Sequence, residues 1–152
     1  MKRIICVVLS VALLISVVAL PCFATGTEES VNITYFEDGS YLVERVVDSQ
    51  SRVSGTKSGA KEATYYGSSG TAAWKAVLYG TFSYTGSSST CTASSISVTI
   101  YDSSWYTISK SAGKSGNTAS GSVTMGYKTL GVTVNEVSKN LSLKCDANGN
   151  LS

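Results

Sequence analysis

The chain contains no histidine. That absence removes the commonest general base and, with it, the Ser-His-Asp and Cys-His arrangements of nucleophilic catalysis. A zinc site would lack its usual nitrogen ligand. Proline occurs once, at Pro21. Charge is sparse, and its one apparent excess is local. Setting aside Lys2 and Arg3 leaves 10 basic and 10 acidic residues. No basic stripe remains to match nucleic acid or an anionic membrane surface. Beyond the first 24 residues no stretch carries a sustained helical period.

The apolar run Ile4–Leu20 follows the basic pair Lys2-Arg3, and Pro21 ends it. Cys22-Phe23-Ala24 then places small residues where a signal peptidase reads them. This is the pattern of a secretory signal over 1–24, with cleavage expected after Ala24 and a secreted product. A membrane-anchored form is the alternative, because the run approaches the ~18 residues of a membrane span. Of four cysteines, Cys91 and Cys145 survive cleavage. An even pair in an exported chain predicts a disulfide, worth about 4 kcal/mol in the loop-entropy view.

What the chain does have is Ser, Thr and Gly, 55 of the 128 residues after Ala24. Val, Ile, Leu and Tyr recur among them at strand spacing. Thr and Tyr favour pleated surfaces, while Gly and Ser supply turns. The best-patterned stretch is Trp74–Tyr101, two alternating runs around the link Thr85–Thr90, which reads as a β-hairpin. Trp74, Ala76, Leu78, Phe82 and Tyr84 line one face of its first strand, with Gly80 as the expected bend. Ile96, Val98 and Ile100 share a face of the return strand. Cys91 has the opposite parity, so a bulge near Ala93–Ser95 is expected if it points inward.

Residues 25–39 read as a leader with a first strand over Val31–Phe36, and 40–152 as a single β domain. Polar links are expected at Asp48–Gly59 and Lys110–Asn117, a second parity switch at Asn135–Ser138, and a polar tail from Asp146. Seven or eight strands with turns every 8 to 14 residues predict an all-β, antiparallel β-sandwich, with a small β-barrel as alternative.

Chemical motifs are weak. Ser-x-x-Lys occurs at Ser54–Lys57 and Ser111–Lys114, each running into Lys-Ser-Gly. In penicillin-recognising enzymes those motifs face each other across a cleft; here they overlap, which favours loops. Gly113-Lys114-Ser115 lacks the leading glycine of a phosphate loop, since position 108 is Ile. Asp146-Ala147-Asn148-Gly149-Asn150 opens like a calcium loop, but its glycine comes early and no closing Glu follows. Glu28-Glu29 and Glu37-Asp38 are poorly placed as a glycosidase pair. No catalytic residue, metal or cofactor is expected.

Aromatics offer the better lead. Tyr65, Tyr79, Tyr101, Trp105 and Tyr106 fall near turns or opposite the more apolar face, and are candidates for a platform binding a cell-surface glycan or protein. The competing reading is that they fill a small core. The alternating strand Thr118–Met125 also has the pattern of a membrane-inserting hairpin, so membrane contact stays open.

Tyr-Tyr-Gly-Ser-Ser-Gly-Thr (65–71), the Trp74 strand, Gly80–Tyr84, Cys91, Val98–Tyr101, Ser104-Trp105, Lys114–Thr118 and the ending Cys145–Gly149 together resemble an uncharacterised group of small secreted proteins from clostridial-type Gram-positive bacteria. The resemblance covers most of residues 40–152. It implies export and a shared cysteine pair, and no activity. The expected function is a secreted, non-catalytic surface or ligand-binding module. A secreted antibacterial or pore-forming factor is the alternative, and a small hydrolase the least favoured.

Overall fold

The computed structural model describes residues 30–49 and 55–152. The signal segment, residues 25–29 of the leader and Ser54 of the first Ser-x-x-Lys lie outside the described residues. Eight strands and no helix build the described part: β1 (Val31–Tyr35), β2 (Tyr41–Ser49), β3 (Thr56–Tyr66), β4 (Ala72–Tyr84), β5 (Ser89–Ile100), β6 (Trp105–Ser115), β7 (Thr118–Thr129) and β8 (Val132–Lys144). They form two antiparallel sheets, ordered β1-β2-β3-β4-β5 and β6-β7-β8. The all-β sandwich expectation holds. Within each sheet every strand pairs with its sequence neighbour, so alternate turns gather at one end. The turns at 36–40, 67–71, 101–104 and 130–131 share the end described below. The turns at 85–88 and 116–117, together with the C-terminal tail, share the other.

The core lies between the sheets. Trp74, Ala76, Leu78 and Phe82 of β4 are fully buried, as their shared parity predicts. They meet Ala119, Val123 and Met125 of β7 and Leu141 and Leu143 of β8. Gly80 introduces no bulge. It stays in register opposite Gly59 and Ser94, and its missing side chain makes room. A Cβ there would sit 2.7 Å from the Phe82 ring and 3.2 Å from Ala119. Gly121 does the same from the facing sheet, where a Cβ would lie 3.0 Å from Leu78. Glycines thus let the two sheets approach closely. The hairpin's irregularity comes one step later: Thr81 faces Ala93 and Phe82 faces Cys91, leaving Thr92 over as a bulge. That extra residue turns Cys91 inward, to 4% exposure.

Three other expectations change. The links at Asp48–Gly59 and Lys110–Asn117 are largely strand, since β3 begins at Thr56 and β6 runs to Ser115. β6 is an edge of its sheet and is exposed from Ile108 onward. An edge strand facing water needs no apolar alternation, and its Lys110 and Lys114 discourage pairing with other chains. The second parity switch falls at Val134, unpaired between Thr133 and Asn135, just before the expected window. The tail is not merely solvated. It folds back so that Leu151 bridges Cys145, and the Leu151 side chain covers Gly59.

β2 explains its own mixed pattern. Leu42, Glu44 and Val46 face the other sheet, and Glu44 is buried there. Its carboxylate meets the Lys139 ammonium of β8 at 2.7 Å, an ion pair that ties the two sheets together.

The β7–β8 turn holds Leu130 and Gly131 at positive φ, 51° and 82°. Leu130 is 99% exposed, so its side chain stabilises nothing in the fold. A left-handed leucine costs about 1–2 kcal/mol, whereas Asn tolerates that conformation. Leu130→Asn is therefore expected to raise unfolding stability by about 1 kcal/mol, read from the urea midpoint at unchanged slope.

Candidate functional site

Three turns, at 36–40, 67–71 and 101–104, and residues 135–138 of β8 enclose a groove at one end of the sandwich. Its floor is aromatic. Tyr65 and Trp74 are cross-strand partners on β3 and β4, stacked at 5.5 Å with planes 4° apart. Trp105 and Tyr127 are partners on β6 and β7, tilted at 5.3 Å. Trp105 closes against Tyr65 at 5.0 Å, so the cluster spans both sheets. Such contacts stabilise beyond the area they bury.

The walls come from the turns. The Tyr101 and Asp102 amides both donate to the Ala73 carbonyl, at 2.8 and 3.0 Å. This fixes the β5–β6 turn over the start of β4 and leaves the Tyr101 side chain 53% exposed. Asp102 Oδ1 accepts the Ser104 amide at 2.9 Å. Across the groove, Asp38 Oδ1 accepts the Ser40 amide at 3.0 Å and the Ser40 hydroxyl at 2.5 Å. These two bonds hold the Asp38 carboxyl below its usual range, because both favour the ionised form.

The main cavity has a volume of about 570 Å³ and brings together Asp38, Ser40, Tyr65, Tyr101, Asp102, Trp105, Tyr127 and Asn135, among others. A second concavity of about 430 Å³ shares Asp38, Ser40, Tyr65 and Asn135 with it and adds Phe36, Glu37 and Glu136. The two adjoin as one elongated groove. No Lys or Arg lines either part. Apolar ring surface beside a few convergent polar groups is the usual make-up of a ligand site.

Of the five aromatics expected to bind, Tyr65, Tyr101 and Trp105 come together here. Tyr65 and Trp105 are 4% and 7% exposed, so they serve chiefly as core and show only an edge to the groove. Tyr79 and Tyr106 lie elsewhere. Tyr79 stands on the outer face of β4, opposite Ala60 and Ser95. Tyr106 lies across Gly126, where a Cβ would meet its ring at 2.7 Å. Its hydroxyl shares a hydrogen bond with Thr133 at 2.6 Å, and the Lys128 ammonium sits 5.5 Å from its ring centre. Tyr127, Asp38, Asp102 and Asn135 were not among the expected residues. Tyr127 continues the inward parity of Ala119, Val123 and Met125 on β7, so period-two counting along that strand was the signal that could have found it. The two aspartates read as turn formers, and only the topology puts their turns at the same end.

No disulfide joins Cys91 and Cys145, correcting the expected bridge. Both are buried free thiols. They do flank one turn: the Cys91 amide donates to the Gly116 carbonyl and the Cys145 amide to the Asn117 carbonyl. Each thiol instead donates locally, Cys91 to the Ala93 carbonyl at 3.3 Å and Cys145 to the Asp146 carbonyl at 3.4 Å. Burial pushes both thiols above their ordinary pKa, which keeps them protonated and poorly nucleophilic.

The remaining motifs acquire structural roles. Ser111 and Lys114 lie on the extended strand β6 and not at a helix start. The Ser111 and Ser122 hydroxyls bond at 2.8 Å. Lys57 pairs with Asp48 at 2.6 Å. Asp146 spends its oxygens on the Asn148 and Asn150 amides and the Asn150 side chain. Among the described residues no group of three or more His, Cys, Asp or Glu could hold a metal. No family model, no curated protein and no solved structure matches this chain.

Proposed function

We propose that this protein is an exported, non-catalytic binding module that holds a carbohydrate chain in the end groove. The observation that carries the reading is the convergence of Tyr65, Tyr101, Trp105 and Tyr127 with Asp38, Asp102 and Asn135 around one cavity. A sugar presents apolar C–H faces and a rim of hydroxyls. The exposed Tyr101 ring, with the edges of Tyr65 and Trp105, suits the first, and carboxylate and amide acceptors suit the second. The groove's continuation past Asn135 suits a chain more than a single sugar. Export follows from the signal pattern over 1–24.

A hydrolytic reading has less support. A glycosidase needs one carboxyl with a raised pKa to protonate the leaving group. Asp38 is held in the opposite direction by its bonds to Ser40. A second reading, contact with a lipid surface, draws on one observation: Leu130, Val132 and Val134 are exposed on the β7–β8 hairpin next to the groove.

Titration calorimetry against a panel of soluble oligosaccharides, with Trp fluorescence as a second signal, tests the proposal. Saturable binding is expected. Tyr101→Ala should weaken it by about tenfold or more, the loss typical of removing one binding aromatic. Tyr79→Ala, on the outer face, should leave it unchanged. A panel without saturable binding, or equal loss in both variants, would overturn the groove as the site. Sedimentation with vesicles rich in anionic lipid, and its loss in Leu130→Asn, would favour the membrane reading instead.

A further inference from the structure

We infer that the groove selects glycans carrying free, protonated amines, such as oligomers of a 2-amino-2-deoxyhexose, over neutral and acidic ones. The inference rests on the groove reading and adds the charge of its ligand.

Acidic side chains fall into distinct sets. Away from the groove, each sheet carboxylate has a cation: Glu44 pairs with Lys139, Asp48 with Lys57, and Glu62 with both Arg45 and Lys75. The Asp146 carboxylate is consumed by its own turn. Around the groove, Glu37, Asp38, Asp102 and Glu136 line the two concavities, and among the described residues none of the four forms an ion pair. Asp102 spends only Oδ1 on the Ser104 amide. No Lys or Arg lines either concavity, so the carboxylates leave one sign uncompensated there. A concave wall of low dielectric strengthens that field. A uronic acid or other anionic sugar would bring like charge against it, while an ammonium would supply the missing counter-charge. Tyr101, exposed at the mouth, adds a ring face to which a cation is drawn.

The test compares hexamers of glucosamine, N-acetylglucosamine and a uronic acid, at a pH where the amines are protonated, by calorimetry. The glucosamine hexamer is expected to bind about tenfold tighter than its acetylated form, and the uronate to bind weakest. At about 1 M salt, where the Debye length is about 3 Å, the preference should shrink towards unity. An Asp102→Asn, Glu136→Gln double variant should show the same loss of preference. The salt series on the unaltered protein keeps the outcome decisive if that variant does not fold. Equal binding of the amine and acetylated forms, or tighter binding of the uronate, would overturn the amine preference and leave the groove reading standing. No binding of any hexamer would remove the groove reading itself.

Discussion

Trp74→Ala is expected to lose about 3–5 kcal/mol of stability, the usual cost of deleting a large buried aromatic. Typical domains have only about 5–15 kcal/mol to spare. The variant should therefore unfold at much lower urea, or fail to accumulate as folded protein. Trp74 is completely buried; it stacks on Tyr65 and leans on Trp105 at 6.2 Å. Its loss would open a cavity under the groove floor, so the Tyr65 ring would lose one packed face as well. The indole N–H meets no acceptor in the structure, and a buried unsatisfied donor costs about 1–3 kcal/mol. Trp74→Phe removes volume and this liability together. It should thus cost far less than the alanine variant, about 1–2 kcal/mol on the same two principles. Paired urea titrations read the difference. Equal losses in the two variants would mean that ring packing at this position contributes little.

Lys139→Met is expected to lose about 2–3 kcal/mol, because it leaves Glu44 facing the opposite sheet without its cation. Breaking one side of a buried pair costs about 3–5 kcal/mol. The lower figure reflects side chains that are still 24% and 11% exposed, so water screens part of the charge. Glu44→Leu combined with Lys139→Met should recover most of the loss, since two apolar side chains satisfy each other where one carboxylate cannot. A double-mutant cycle by chemical denaturation gives the coupling energy. A cycle that closes near zero would show that the pair does not hold the sheets together.

The sandwich was legible in the chain because its central strands bury one face each. The row Trp74, Ala76, Leu78, Phe82 needed only period-two counting. The need for a bulge opposite the Trp74 strand was also legible, since Cys91 had the wrong parity to reach the core, though the bulge falls at Thr92, just before the expected Ala93–Ser95. Where strands face water, that signal vanishes. Lys110–Ser115 is polar on both faces because β6 is an edge, and Thr56–Gly59 continues β3 without apolar side chains. The packing role of Gly80 was missed for a related reason: a glycine that bends a strand and one that admits a neighbouring ring look alike in one dimension.

The groove was half legible. Tyr65, Tyr101 and Trp105 could be picked out as aromatics beside turns. Asp38 and Asp102 could not, since each has a complete local explanation in capping the amide two residues on. What joins them is that odd-numbered turns of a meander return to one end, and that follows only once every pairing is known. The cysteines show the same limit. A bridge between them was anticipated, but whether sulfurs bond depends on side-chain direction, and here each thiol donates to a nearby carbonyl.

The neighbour-to-neighbour pairing of all strands within each sheet also bears on how the chain reaches this state. β-sandwiches usually fold slowly because their partners are far apart in sequence. Here each strand needs only the next one, so the loop-closure entropy of every pairing is small. Long-range contacts come from the docking of the three-stranded sheet on the five-stranded one and from the C-terminal tail that packs against Gly59 and Gly86. The Glu44–Lys139 pair, 95 residues apart, belongs to that last step. Interactions completed after the rate-limiting barrier govern how quickly a protein comes apart more than how quickly it forms. This ion pair therefore acts as a latch on a chain whose hairpins are assembled before it closes.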